Sequence, residues 1–168
     1  MLKLYNTFTK SLETLESTGS DIKIYLCGPT VQSSPHIGHG RSAVVFDFMV
    51  RYIKFSGNNV IFARNITDID DKIIEKSIEE NITYQELGER VTKEFKDSYD
   101  ALNCLTPDFE PKATETIDQM IELIDDLIKK NYGYITQSGV YFDVSEYDSY
   151  LELSGRSFDE VLRGTRVN

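Results

Sequence analysis

Histidine is almost missing from this 168-residue sequence: there are two, and both fall in one string, Pro35-His36-Ile37-Gly38-His39. Cysteine is equally scarce, with only Cys27 and Cys104. In a reducing setting, two such cysteines are expected to be free or metal-bound rather than joined. Basic residues are outnumbered, 18 against 28, for a net charge of −10. That deficit argues against broad electrostatic docking on nucleic acid, which needs Lys/Arg-rich faces. No apolar run approaches the roughly 20 residues of a membrane helix, so neither a helical span nor a membrane partner is expected. The opening Met1-Leu2-Lys3-Leu4-Tyr5-Asn6 lacks the apolar core of a signal peptide, so a cytoplasmic protein is expected. There is no internal repeat and no low-complexity tract. What remains is an ordinary globular composition, 40% hydrophobic and 27% charged, long enough to bury a core.

Residues 22 to 26, Ile-Lys-Ile-Tyr-Leu, alternate and are rich in β-formers, which predicts a strand ended by Cys27-Gly28-Pro29. Ala43, Phe46, Val50 and Ile53 recur at helical spacing between Gly38 and Phe55, and Ser56-Gly57-Asn58-Asn59 stops that helix. Val60-Ile61-Phe62-Ala63 reads as a second strand. Strand, helix, strand implies a parallel pair with a right-handed crossover. A short helix is expected near 72–80. Thr83-Tyr84-Gln85-Glu86 has capping-box form and opens a helix striped with Leu87, Val91, Phe95 and Leu102. Pro107 to Pro111 breaks it. Ile117, Ile121, Ile124 and Ile128 mark an amphipathic helix that Gly133 is expected to close. Residues 134–136 and 140–143 flank a Gln-Ser-Gly turn and read as a hairpin. Ser157 to Glu160 repeats the capping-box pattern for a last short helix.

A strand that feeds a glycine-containing turn and then a helix is where open α/β sheets bind phosphates. His36 and His39 sit in such a turn. Two imidazoles there could donate hydrogen bonds to phosphate oxygens and act best on charge that develops during attack at phosphorus. Gly38 removes a side chain from the approach. A metal site built from Cys27, His36 and His39 is a second possibility by spacing. The acids Asp68, Asp70 and Asp71 fit helix N-terminal residues that complement the dipole, with magnesium binding as the alternative. Arg41 and Arg64 could pair with phosphates or with these acids. Cys104 is expected in or beside the core.

Three strings carry a resemblance: Cys27-Gly28-Pro29-Thr30-Val31, Pro35-His36-Ile37-Gly38-His39-Gly40-Arg41, and Arg64-Asn65-Ile66-Thr67-Asp68-Ile69-Asp70-Asp71-Lys72. With Asp100 to Asn103, Pro107 to Thr114, Tyr141 to Val144 and the opening Leu4-Tyr5-Asn6-Thr7, they closely resemble the cysteinyl-tRNA synthetases, class I aminoacyl-tRNA synthetases. The resemblance implies an α/β fold: the first half of a Rossmann-like parallel-sheet catalytic domain, over residues 1–98, plus an α+β connective insertion, over 99–168. It implies ATP-dependent activation of cysteine as an adenylate and transfer to tRNA-Cys. His36 and His39 would stabilise the transition state, with Gly38 and Gly40 beside them along ATP. Gly28, Thr30 and Thr67 would line the cysteine pocket. Cys27 would be one ligand of a zinc ion that binds the substrate thiolate, and ATP would arrive with magnesium.

The family also implies parts with no counterpart in these residues: further zinc ligands, a lysine-rich KMSKS loop and helical anticodon-reading domains. The chain is therefore expected to be an N-terminal fragment or truncated relative. Alone it is expected to be inactive, its partner the missing C-terminal part, and the whole enzyme a monomer. Another part of the whole would supply most of the affinity for tRNA. Robust cysteine- and ATP-dependent pyrophosphate exchange by this chain alone would refute that expectation. Two other readings share the motifs: a ligase joining cysteine to an amino sugar, and a non-catalytic paralogue that binds nucleotide or a partner.

Overall fold

The computed structural model describes residues 2–15 and 21–164. In chain order the elements are β1 (Lys3–Asn6), β2 (Ser11–Thr14), β3 (Ile22–Leu26), α1 (Ile37–Phe55), β4 (Val60–Arg64), α2 (Asp71–Glu80), α3 (Tyr84–Ala101), α4 (Ile117–Lys129), β5 (Gly133–Ile135), β6 (Val140–Phe142) and α5 (Phe158–Gly164). They fall into two compact units, one over Ser17–Ile117 and one formed by Met1–Glu16 with Asp118–Asn168.

The first unit is α/β. β3 and β4 pair in parallel from Ile22↔Val60 to Leu26↔Arg64, with α1 as the connection. β4 alternates between buried and half-buried residues, with Val60, Phe62 and Arg64 fully inside. Its other side is partly covered by the segment that the prolines break out of helix. Ala63 bridges Phe109 and Ile66 bridges Lys112, both in parallel sense. The Asp108 carboxylate also accepts the Phe62 N–H at 2.8 Å. A stretch read as a helix breaker therefore serves as a sheet edge.

α3 begins at the predicted capping box: the Thr83 hydroxyl accepts the Glu86 N–H, and the Glu86 carboxylate accepts the Thr83 N–H. Its stripe of Leu87, Val91, Phe95 and Tyr99 packs with Val31, Ala43, Ile66 and Ile73 into one buried cluster. Each of its Val, Leu, Ile and Phe side chains contributes about 1.5–3 kcal/mol of burial, which ties α1, α2 and α3 to the strand ends. α3 stops at Ala101, with Asn103 in the left-handed region.

The second unit holds two hairpins and two helices. Lys3↔Thr14 to Asn6↔Ser11 pair β1 with β2 antiparallel. This hairpin was not expected: its turn uses Lys10 at φ 54, with no glycine to announce it. β5 and β6 form the predicted hairpin. α4 ends at Lys129, and the residue that takes up the left-handed geometry is Asn131 at φ 61, not Gly133. Gly133 opens β5 instead, where a Cβ would lie 3.1 Å from Ile128 Cγ1. The Ser157–Glu160 pattern does cap a short helix, since the Ser157 hydroxyl accepts the Glu160 N–H. None of the described helices is long and apolar enough to cross a membrane.

Candidate functional site

The site begins where β3 and β4 end. Leaving the strands, the two chains stay hydrogen-bonded: Thr67 N–H donates to the Pro29 carbonyl, Val31 N–H donates to the Thr67 carbonyl, and Thr30 bridges Thr67. Asn65 locks this exit, its side-chain oxygen accepting the Gly28 N–H at 2.7 Å and its amide donating to the Thr67 hydroxyl. The approach is so close that a Cβ on Gly28 would sit 1.6 Å from the Asn65 carbonyl oxygen. Gly28 is thus demanded by backbone contact.

α1 starts beside this exit, and its first turn is built from the two histidines. His36 is the N-cap: its Nδ1 accepts the Gly38 N–H at 3.1 Å, while His39 Nδ1 accepts the His36 N–H at 3.2 Å. This is a capping box made with imidazoles in place of hydroxyl and carboxylate. Because both Nδ1 atoms act as acceptors, each neutral ring carries its proton on Nε2. Both side chains are therefore left with one N–H donor. The rings lie 3.9 Å apart between centroids. Burial pushes the His39 pKa down, and the charge on His36 would lower it further, so the neutral donor form is favoured.

Cys27, Gly28, Thr30, His36 and His39 all line one open cleft of about 310 Å³. Its wall also includes Gln32, Ser33, Ser42, Arg64, Lys72 and Tyr99. Among the described residues no aspartate or glutamate lines it, although the chain carries 28 acids. Lys72, two imidazole donors and the start of a helix meet at a wall with no acid among its lining residues, which suits an anion; the Arg64 guanidinium joins them with its charge already offset by Glu110.

Arg64 anchors the floor. It is buried, with Nη2 2.6 Å from Glu110 Oε1 and its guanidinium 4.3 Å above the Tyr99 ring. Lys96 holds the other Glu110 oxygen at 2.9 Å. The acid that pairs with Arg64 is thus Glu110 and not one of the Asp68, Asp70 and Asp71 cluster expected from sequence. Within that cluster, Asp70 caps α2 by accepting the Lys72 N–H, Asp71 sits in the first turn, and Asp68 accepts the Thr114 N–H.

The other expected site residues lie elsewhere. Gly38, Gly40 and Thr67 do not line the cleft. At Gly38 a Cβ would come within 2.9 Å of the His36 ring, so this glycine makes room for the cap itself. At Gly40 a Cβ would meet Leu102 Cδ1 at 3.3 Å, so α3 packs there. Thr67 backs the site through Thr30 and Asn65. Cys104 is half-buried against the core, and burial raises its thiol pKa.

Cys27 is exposed at the cleft. Among the described residues no group of three or more His, Cys, Asp or Glu could hold a metal ion, so Cys27, His36 and His39 do not form one. A closed zinc shell takes four ligands, and these residues do not make such a site on their own.

Sequence reasoning missed Asn65, Lys72 and Tyr99. Asn65 stands directly after a strand, a position from which a side-chain amide can clamp a neighbouring loop. Tyr99 is four residues after Phe95 on the apolar stripe of α3, which places both on one face.

A profile of the family described as tRNA synthetases class I (C) catalytic domain matches residues 13–168. Curated relatives named cysteine–tRNA ligase include one from Wolbachia pipientis subsp. Culex pipiens, 45% identical over 99% of this chain and 36% of its own length. Another, from Maridesulfovibrio salexigens, is 47% identical over 99% of the chain and 35% of its own length. A third, from Rickettsia felis, is 46% identical over 98% and 36%. The chain thus spans about 36% of the length of the first of these relatives.

Proposed function

We propose a function from one premise: this chain belongs to the family of tRNA synthetases class I (C) catalytic domains. The cleft is the ATP- and amino-acid-binding part of a cysteine–tRNA ligase. The observation that carries this reading is the acid-free lining that holds His36, His39, Arg64 and Lys72 together in a strongly acidic chain.

In this reading ATP, brought with magnesium, lays its phosphates along the start of α1. His36 and His39 donate through Nε2 to phosphate oxygens. The cysteine carboxylate attacks the α-phosphorus, a carboxylate oxygen–phosphorus bond forms, and the bond to the bridging oxygen breaks as pyrophosphate leaves. Negative charge grows on the phosphoryl oxygens, and neutral donors already fixed by the helix cap stabilise it without reorganising. The aminoacyl group then passes to tRNA-Cys. Gly28 and Thr30 border the amino-acid end, and Thr67 acts by keeping Thr30 in register. Gly38 and Gly40 keep the first turn of α1 narrow. Cys27 is offered as a single thiolate ligand to zinc. The 1–98 and 99–168 division is likewise proposed as a functional one, nucleotide-binding half and connective insertion.

The test separates capping from ligand contact. His36→Asn retains a strong N-cap acceptor but loses the Nε2 donor. Its unfolding midpoint is expected to stay near that of the parent. Its ATP affinity, measured by calorimetry with magnesium present, is expected to fall about tenfold or more, the worth of one hydrogen bond to a charged group. Equal affinity of the parent chain for ATP and adenosine would refute the phosphate-binding reading.

A further inference from the structure

We infer that Phe95 is the positioning residue of His39, holding the imidazole at the orientation in which its one free donor serves the cleft. The inference rests on the reading of His39 as a phosphate contact.

The geometry is a stack of braced rings. The Phe95 ring meets His39 nearly edge-on, with centroids 4.9 Å apart and planes at 74°. His39 also lies against the His36 ring, with centroids 3.9 Å apart. Phe95 itself is 2% exposed and is backed by Tyr99 at 5.8 Å. Tyr99 in turn lies under the Arg64 guanidinium, which Glu110 fixes. The brace therefore runs from a buried ion pair through one face of α3 to the imidazole.

The Nδ1 cap alone fixes one atom of the ring and leaves its plane free to rock. An aromatic edge at this distance adds a directional contact and excludes water from one side of the imidazole. The charged or titratable groups that share the cleft with His39 are Cys27, His36, Arg64 from β4, Lys72 from α2 and Tyr99 from α3.

The test is the nitrogen spectrum of 15N-histidine-labelled chain together with ATP titration. The parent is expected to show His39 as one tautomer, protonated at Nε2. In Phe95→Leu the unbraced ring is expected to leave its Nδ1 bond to the His36 N–H part of the time, so that His39 shows averaged tautomers, and ATP affinity is expected to fall roughly twofold to tenfold, the worth of an aromatic pair. Phe95→Met keeps similar volume without the aromatic edge and is expected to behave alike, which covers a folding failure of the leucine variant. Val91→Ala removes buried volume from the same helix face without touching His39, and is expected to lower stability but leave the tautomer unchanged.

A folded Phe95→Leu or Phe95→Met chain with the parent's His39 spectrum would overturn the inference. So would an equal spectral change in Val91→Ala. Failure of the parent to bind ATP would sink the phosphate reading alone, since the tautomer comparison is made without ligand.

Discussion

Replacing Gly28 with alanine is expected to lower unfolding free energy by about 3 kcal/mol, the upper part of the range for overpacking, and to open the cleft. The added Cβ would stand 1.6 Å from the Asn65 carbonyl oxygen and 2.7 Å from its carbon. Both are backbone atoms, so no rotamer change relieves the clash. The exits of β3 and β4 must separate, and the Gly28 N–H to Asn65 bond breaks with them. Thr30 and Thr67 then lose register, although neither was altered. Urea unfolding of Gly28→Ala beside Gly40→Ala makes the comparison. At Gly40 the new methyl meets only the tip of Leu102, and replacing a helical glycine gains up to about 1 kcal/mol, so a near-neutral change is expected. A Gly28→Ala chain as stable as Gly40→Ala would show that the two strand exits are not locked together.

The consequence for function is that the site's precision is set by backbone. Cys27, Gly28 and Thr30 follow one strand, Arg64 ends its partner, and α1 places both histidines. A two-stranded parallel pair alone would bury little. Here the brace comes from α3, whose apolar face joins the strand ends to the first turn of α1.

That division explains what could be read from sequence. Elements with local causes were legible: the alternation of Ile22 to Leu26, the helical spacing of Ala43 to Ile53, and the caps at Thr83 and Ser157. The gathering of Cys27, His36 and His39 at one cleft was legible because the strand–turn–helix order fixes it. The capping role of the histidines was not, because imidazole is a rare N-cap and its use depends on ring orientation. Gly38 and Gly40 read as openings for a ligand, whereas the space they leave is occupied by His36 and Leu102. The pairing of Phe109 with β4, and of Lys112 with Ile66 just past its end, joins residues about 46 positions apart, and no local pattern announces it. The β1–β2 hairpin escaped notice because its turn rests on a left-handed lysine.

Glu110→Gln is expected to cost about 3 kcal/mol at neutral pH, the low end for breaking a buried pair by removing one partner. Arg64 cannot shed its proton, its side chain is 7% exposed, and Glu110 is its one ion-pair partner among the described residues. Its Nε already lacks a hydrogen-bond partner, so the site has no spare acceptor. The pH dependence carries a sign. Burial pushes the Glu110 pKa up, but hydrogen bonds from Arg64 and Lys96 and their charges outweigh it, so the carboxyl titrates below its ordinary 4.5. The unfolded chain therefore takes up this proton first as acid is added. The pair's contribution is complete above the ordinary carboxylate value and is lost as pH falls through the lower, folded one. Urea unfolding from pH 7 down to pH 3 is expected to show a shallower acid decline in Glu110→Gln than in the parent, with the two curves converging at the acid end. Parallel curves across that interval would mean that Glu110 carries no net stabilising charge. The floor of the cleft would then be held by the Tyr99 stack alone.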